Sequence, residues 1–217
     1  MQVKDIVCPL KYFSVKIGDI QVEDNINESY FTLSSGGNII MTNHKIDTID
    51  LGIEVYYGYG KCITTGIGLA IKESMLSLKQ EVKEIICYEK NKNMIELFYA
   101  IMKYNNFDHT KIKVVHGDAE NIHNLDCDCL FLDHYTIEDC MQAHRSAAKI
   151  SKNNNSKITW YWPAIRHYIS YVDERNLPLT KQTFSDWATP LNIKNMPCDL
   201  SDEVFDLIVQ FKNEPIF

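Results

Sequence analysis

Two glycines one residue apart, Gly66 and Gly68, end an apolar run (Cys62, Ile63) and lead into a helical pattern. A buried parallel strand turns in this way into a helix whose first N–H groups face a ligand. Glycine takes φ > 0 and lets a ligand approach the backbone, while the helix start leaves donors unpaired. The next short β run, residues 82–88, ends on Glu89. Its separation from Gly68 is about the 20 residues expected between a nucleotide-binding turn and the acid that takes the ribose hydroxyls. Together the two features point to an adenosine ligand. A fourth β run ends on Asp133, followed by His134 and Tyr135. An acid at the carboxyl end of a parallel strand points into the crevice where such sheets bind ligands. There it can accept a proton from an amine or hydroxyl, or hold a cationic amine, with His134 and Tyr135 as assisting base or hydrogen-bonding groups. Each residue also has a structural alternative: a packing glycine, an exposed strand-end acid, a cap for the next helix.

The dinucleotide fingerprint is incomplete, since Ile71 stands at its sixth position, and no Gly-x-x-x-x-Gly-Lys-Ser/Thr phosphate loop occurs. A third β run, residues 112–116, is followed by Gly117-Asp118-Ala119. With four such stretches in order, residues 58–162 resemble the class I S-adenosylmethionine-dependent methyltransferases and their relatives, the spermidine synthase-like aminopropyltransferases. The resemblance implies that Thr65, Gly66 and Gly68 pass under the methionine and ribose of S-adenosylmethionine, or of its decarboxylated form. It implies further that Glu89 binds the ribose hydroxyls, that Asp118 and Ala119 meet the adenine, and that Asp133, His134 and Tyr135 face the reacting sulfonium. The chain departs from the pattern at Thr64, where an acid is frequent, and at Ala70, in place of a third glycine. It also has Leu69 where aminopropyltransferases carry an acid in the turn, and Asp133-His134-Tyr135-Thr136 where they carry Asp-Ser-x-Asp-Pro. The leading expectation is methyl transfer to a small-molecule acceptor. Aminopropyl transfer to a diamine, or binding or degradation of S-adenosylmethionine without methyl transfer, are the alternatives.

Other chemistry-bearing types are weaker. Trp160, Tyr161 and Trp162 end a fifth β run, either as core or as an aromatic wall for a cationic ligand. Arg166 and His167 follow. His123, Cys127, Cys129 and His134 suggest metal ligands by type, but adjacent strand positions point to opposite faces, so no metal site is expected. The formal charge of −7 and the lack of a basic cluster argue against nucleic acid and suit a small neutral or cationic acceptor such as an amine. Seven scattered cysteines point to reduced thiols in a cytoplasm. No apolar run is long enough to cross a bilayer, and the first residues do not resemble a secretory leader. Self-association into a homo-oligomer is compatible with the composition.

The elements that must hold these residues follow from patterning. Short strands are expected at residues 12–17, 29–33 and 38–41, with turns at Gly18-Asp19 and Gly36-Gly37. In aminopropyltransferases the stretch resembling residues 37–41 is a hairpin over the active site. A helix is expected over 47–57, and further helices near 68–80, 92–106 and 137–151, the last opening on an acidic, capping-box-like start at 136–139. Strand–helix alternation implies parallel strands joined by right-handed crossovers. After a fifth strand at 157–161 the pattern is helical, near 163–175, 180–188 and 201–212, without the final strand pair of a full methyltransferase sheet. The expected architecture is α/β: residues 1–57 a β extension plus helix, 58–162 a Rossmann-like, mostly parallel core, and 163–217 a helical extension.

Overall fold

The computed structural model describes residues 8–25, 30–135 and 140–214. Two sheets organise it. The first is antiparallel, in the order β1 (Val15–Ile17), β2 (Ile20–Asn25), β3 (Tyr30–Ser35), β4 (Asn38–Thr42). Helix α1 (Lys45–Tyr57) leads from it into the second sheet. That sheet is parallel throughout, formed by β5 (Gly60–Thr65), β6 (Val82–Glu89), β7 (Ile112–His116), β8 (Cys129–Leu132) and β9 (Ile158–Tyr161). Its spatial order is β7-β6-β5-β8-β9. The chain winds outward from β5 to β7, then returns to place β8 on the other side of β5. The crevice above β5 and β8 is therefore the topological switch point, where open α/β sheets bind ligands.

The crossovers are α2 (Ile71–Leu78), α3 (Lys92–Tyr104) and α4 (Cys140–Asn153), and α5 (Ala164–Glu174), α6 (Lys181–Ala188) and α7 (Asp202–Asn213) follow β9. Buried strands read as near-continuous apolar runs because helices flank the sheet: every residue of β8 is buried. Side-chain caps fix several helix starts, with Asn91 accepting from the Asn93 N–H, Thr180 forming a capping box, and Ser201 accepting from the Val204 N–H. Helix α7 buries Val204, Leu207, Ile208 and Phe211, one stripe at helical spacing, and packs on α1.

Three local differences from the sequence reading have physical causes. Strand β2 was not separated from the turn before it, since its apolar alternation (Ile20, Val22) ends after two steps in Glu-Asp-Asn. The first strand is shorter than residues 12–17, because Tyr12 leaves the sheet to send its hydroxyl to the Leu69 carbonyl at 3.1 Å. Helix α2 begins at Ile71 rather than at 68, because Gly66, Gly68 and Ala70 all take positive φ. Among the described residues no strand follows β9, so the parallel sheet has five strands. The helix start at 136–139 and the N-terminal hexapeptide lie outside the described residues. No helix is long and apolar enough to cross a membrane among the described residues.

Candidate functional site

Strand register brings the sequence-selected residues to one edge. Thr65 pairs with Tyr88 on one side and Leu132 on the other, Tyr88 pairs with Val115, and Leu132 pairs with Tyr161. The next residue of each strand, namely Gly66, Glu89, Asp133, His116 and Trp162, therefore stands at the carboxyl edge of the sheet. Gly66, Glu89 and Asp133 belong to the three strands around the switch point.

The turn after β5 is held from several directions. Its Gly66 N–H donates to the Tyr88 carbonyl at 2.9 Å. Glu89 is buried, and its Oε2 accepts the Ile67 N–H at 3.0 Å while Oε1 accepts the Asn91 N–H at 2.7 Å. Each carboxylate oxygen has a second lone pair, so the acid that anchors the turn can still accept from a diol. The two glycines serve different ends. A Cβ at Gly66 would collide with the Asp133 carbonyl oxygen, so the missing side chain lets β5 and β8 close together at their tips. A Cβ at Gly68 would instead lie 2.7 Å from the Met41 sulfur of β4. Ala70, at the place of the third glycine, holds a left-handed φ of 58°, a conformation that strains a residue bearing a Cβ. Asp118 is exposed and caps a short 3-10 turn (Ala119–Asn121) by accepting the Glu120 N–H at 3.0 Å, and Ala119 is buried beside it.

Beyond β8, Thr65 Oγ1 accepts the Asp133 N–H at 2.8 Å and lies 2.8 Å from His134 Nδ1. The His134 Nε2 faces Glu120 Oε1 at 3.5 Å. Burial lowers the His134 pKa, with Glu120 and Asp133 opposing it, so a neutral ring with its proton on Nε2 fits both partners. Glu120 also accepts from Ser146 and pairs with Lys149 at 3.3 Å. A cleft of about 450 Å³ opens there, lined by Glu120, Gln142, Arg145, Ser146 and Lys149. Tyr135 packs on His134 in a tilted arrangement with ring centroids 4.0 Å apart, and burial raises the pKa of its phenol. With both ring nitrogens engaged, His134 is placed to orient rather than to abstract a proton directly.

Asp133 itself is 19 % exposed and meets Lys72 Nζ at 3.1 Å. Lys72 is only 2 % exposed and also meets Glu54 Oε2 at 3.0 Å. Sequence reading missed this pair, along with Asp50 and Glu73. All four are buried, on α1 and α2, beneath the crevice. Burial would lower the Lys72 pKa, but Asp133, Glu54 and Glu73 more than reverse that and keep it an ammonium. Burial likewise raises Glu54 and Glu73, and pushes Asp50 up to about 7 against the pull of Arg166. One ammonium is shared among several acids, and burial favours the protonated form of the deepest. Arg166 reaches Asp47 at 3.3 Å and Asp50 at 3.7 Å, which joins α5 to the same cluster. A signal existed in the sequence: Asp47, Asp50 and Glu54 fall on one face of α1 at spacings of three and four.

The remaining candidates lie elsewhere. Trp160 and Tyr161 are fully buried, Trp160 stacking on Phe184 at 6.1 Å, so they are core and not an aromatic wall. Only Trp162 reaches the crevice edge. The Tyr161 hydroxyl meets His167 Nδ1 at 2.9 Å, and burial, with His144 adding to it, pushes His167 down to about 4. Cys127 is half-buried, its thiol raised by burial, and Cys129 is buried in the sheet, while exposed His123 bonds the Asn121 carbonyl.

No protein-family model and no curated protein sequence matches the chain. Solved structures do match in shape. Spermidine synthase from Thermotoga maritima aligns over 70 % of this chain and 56 % of its own, at 12 % identity and a TM-score of 0.52. A spermidine synthase in complex with the transition-state analogue AdoDATO aligns over 70 % and 55 %, at 11 % identity and a TM-score of 0.51. The M. jannaschii TYW2 protein in complex with AdoMet aligns over 67 % and 62 %, at 11 % identity and a TM-score of 0.43. The chain thus spans just over half the length of the spermidine synthase chains it matches. At these identities the likeness is one of architecture: the chain carries a Rossmann-like fold of the kind seen in the spermidine synthases.

Proposed function

We propose that this chain transfers a group from S-adenosylmethionine, or its decarboxylated form, to a small-molecule acceptor. The observation that carries the reading is the row Gly66, Glu89 and Asp133 at the switch point of the sheet. The residues present fit such a ligand. Glu89 keeps acceptor capacity for a ribose diol, Ala119 offers a small buried surface beside the base position, and Asp133 is the acid at the reacting end. The ligand, when bound, supplies an activated carbon on a sulfonium. The protein's part is then mainly positioning, holding an acceptor nitrogen or oxygen in line with that carbon. Asp133, its Oδ2 steadied by Lys72, orients the acceptor through the other oxygen and takes the proton it releases. His134 is a positioning residue, fixed between Thr65 and Glu120.

Methyl transfer is the reading that the sequence leads with. Aminopropyl transfer to a diamine has specific support: acids crowd beneath the crevice, suiting a cationic amine, and an antiparallel sheet precedes the parallel one. Titration calorimetry with S-adenosylmethionine, decarboxylated S-adenosylmethionine and S-adenosylhomocysteine tests the reading. Failure of all three to bind refutes it. Binding without turnover over an acceptor panel that includes polyamines replaces it with a non-catalytic role.

A further inference from the structure

Leu69 lies between Gly68 and the left-handed Ala70, and both of its backbone polar groups are taken by the N-terminal region. Its N–H donates to the Met41 sulfur at 3.4 Å, and its carbonyl accepts from the Tyr12 hydroxyl at 3.1 Å. Met41 is half-buried, and its backbone is held in place. It pairs in register with Leu33, and the adjoining Thr42 sends both its N–H (3.1 Å) and its hydroxyl (2.5 Å) to Asp47 at the start of α1. The rest of β4 stands clear, with Ile39 71 % exposed.

A thioether is a weak acceptor, and a carboxylate would satisfy a donor beside the first turn of α2 far better. Yet a carboxylate can reach Leu69 only if Met41 leaves, because the sulfur fills the space above Gly68. Asp133, the partly exposed acid at the crevice, adds repulsion, and Lys72 is already shared between it and Glu54. A ligand whose amino-acid end lacks a carboxylate and carries only an ammonium meets neither obstacle.

We propose that Met41 is a specificity-determining residue that disfavours S-adenosylmethionine relative to its decarboxylated form. The proposal rests on the adenosyl-sulfonium reading of the site and bears on which of the two group transfers takes place. Calorimetry with both ligands on the wild-type chain, Met41→Ala and Met41→Leu tests it. The wild type is expected to bind the decarboxylated ligand about tenfold more tightly, the worth of one charge-assisted hydrogen bond. Met41→Ala should recover most of that factor by strengthening S-adenosylmethionine binding. Met41→Leu, which fills the space without a sulfur, should keep the preference, and a circular dichroism spectrum and unfolding midpoint for each variant verify that it is folded. Equal binding of the two ligands by the wild type, or an unchanged ratio in folded Met41→Ala, overturns the role of Met41 while leaving the site intact. Absence of binding of either ligand to any form overturns the site and the proposal together.

Discussion

Lys72 Nζ stands 3.1 Å from Asp133 Oδ2, linking the first turn of α2 to the tip of β8 across the floor of the crevice. Because Lys72 is buried, this ammonium does more than a surface ion pair, whose worth is near zero. It fixes one carboxylate oxygen of Asp133, Oδ2, and leaves Oδ1 as the oxygen that the proposed function assigns to the acceptor. It also meets Glu54 Oε2 at 3.0 Å, so one ammonium is shared by two carboxyl groups.

Replacing Lys72 by methionine keeps the volume and removes the charge. Breaking a buried pair from one side typically costs about 3–5 kcal/mol, because the partner is left uncompensated. Lys72→Met should therefore lose about 3 kcal/mol in urea unfolding at pH 8. Part of that loss should return at pH 5, where protonating the buried Glu54 carboxyl costs less. A loss independent of pH would mean that only packing had been disturbed.

Asp50 gives a second pH test with a defined sign. Burial pushes its carboxyl up to about 7, whereas an unfolded aspartate titrates near ~3.9. Between those values the folded chain holds a proton that the unfolded chain has released, so stability falls as pH rises through the window and levels off above it. Linkage puts the integrated effect at about 4 kcal/mol. Asp50→Asn should thus gain on the wild type steadily from pH 4 to pH 8 when unfolding free energies are compared. Parallel curves would show that Arg166 already compensates the charge.

The two glycines of the turn should respond differently to alanine. At Gly66 the new Cβ runs into the Asp133 backbone, which cannot yield without parting β5 from β8, and φ is +69°. At Gly68 it meets the end of a flexible methionine, and the left-handed backbone (φ +48°) is the main penalty, about 1–2 kcal/mol. Thermal unfolding should therefore show Gly66→Ala severely destabilised and Gly68→Ala only modestly so. Equal effects would refute this division of roles.

These contrasts indicate what a sequence can convey. The glycine pair, Glu89 and Asp133 were legible because a parallel strand must end at the sheet edge, so the residue after its last apolar position is placed by topology alone. Lys72, Glu54 and Asp50 were not. They sit on helices and have the types of a solvated face, and they become buried only once α2 and α7 pack on α1, a tertiary event that the shared face of Asp50 and Glu54 does not by itself specify. For Met41 the resemblance implied a hairpin over the active site at residues 37–41, but nothing in residues 38–42 specifies which loop residue the strand meets. Helix α2 illustrates the limit in reverse: Ala70 has good helix propensity, yet it sits in the left-handed region because the turn requires it.

Glu89 joins the two kinds of residue, and its mutation separates them. Its carboxylate accepts the Ile67 and Asn91 N–H groups, so Glu89→Ala leaves two backbone donors without a partner and should cost roughly 2 kcal/mol of stability even without ligand. If the same acid also takes a ribose diol, affinity for S-adenosylhomocysteine should fall by more than about tenfold at a temperature where the variant is fully folded. Glu89→Gln sharpens the test. Its carbonyl oxygen can still accept the Ile67 N–H, so part of the turn's anchoring survives, while the amide nitrogen in place of Oε1 faces the Asn91 N–H and presents a donor to one ribose hydroxyl in place of an acceptor. Calorimetry should then show a Glu89→Gln chain less destabilised than Glu89→Ala and with clearly weakened binding. A variant that binds as the wild type does would reduce Glu89 to an anchor of the glycine turn and move the ribose contact elsewhere on the crevice edge.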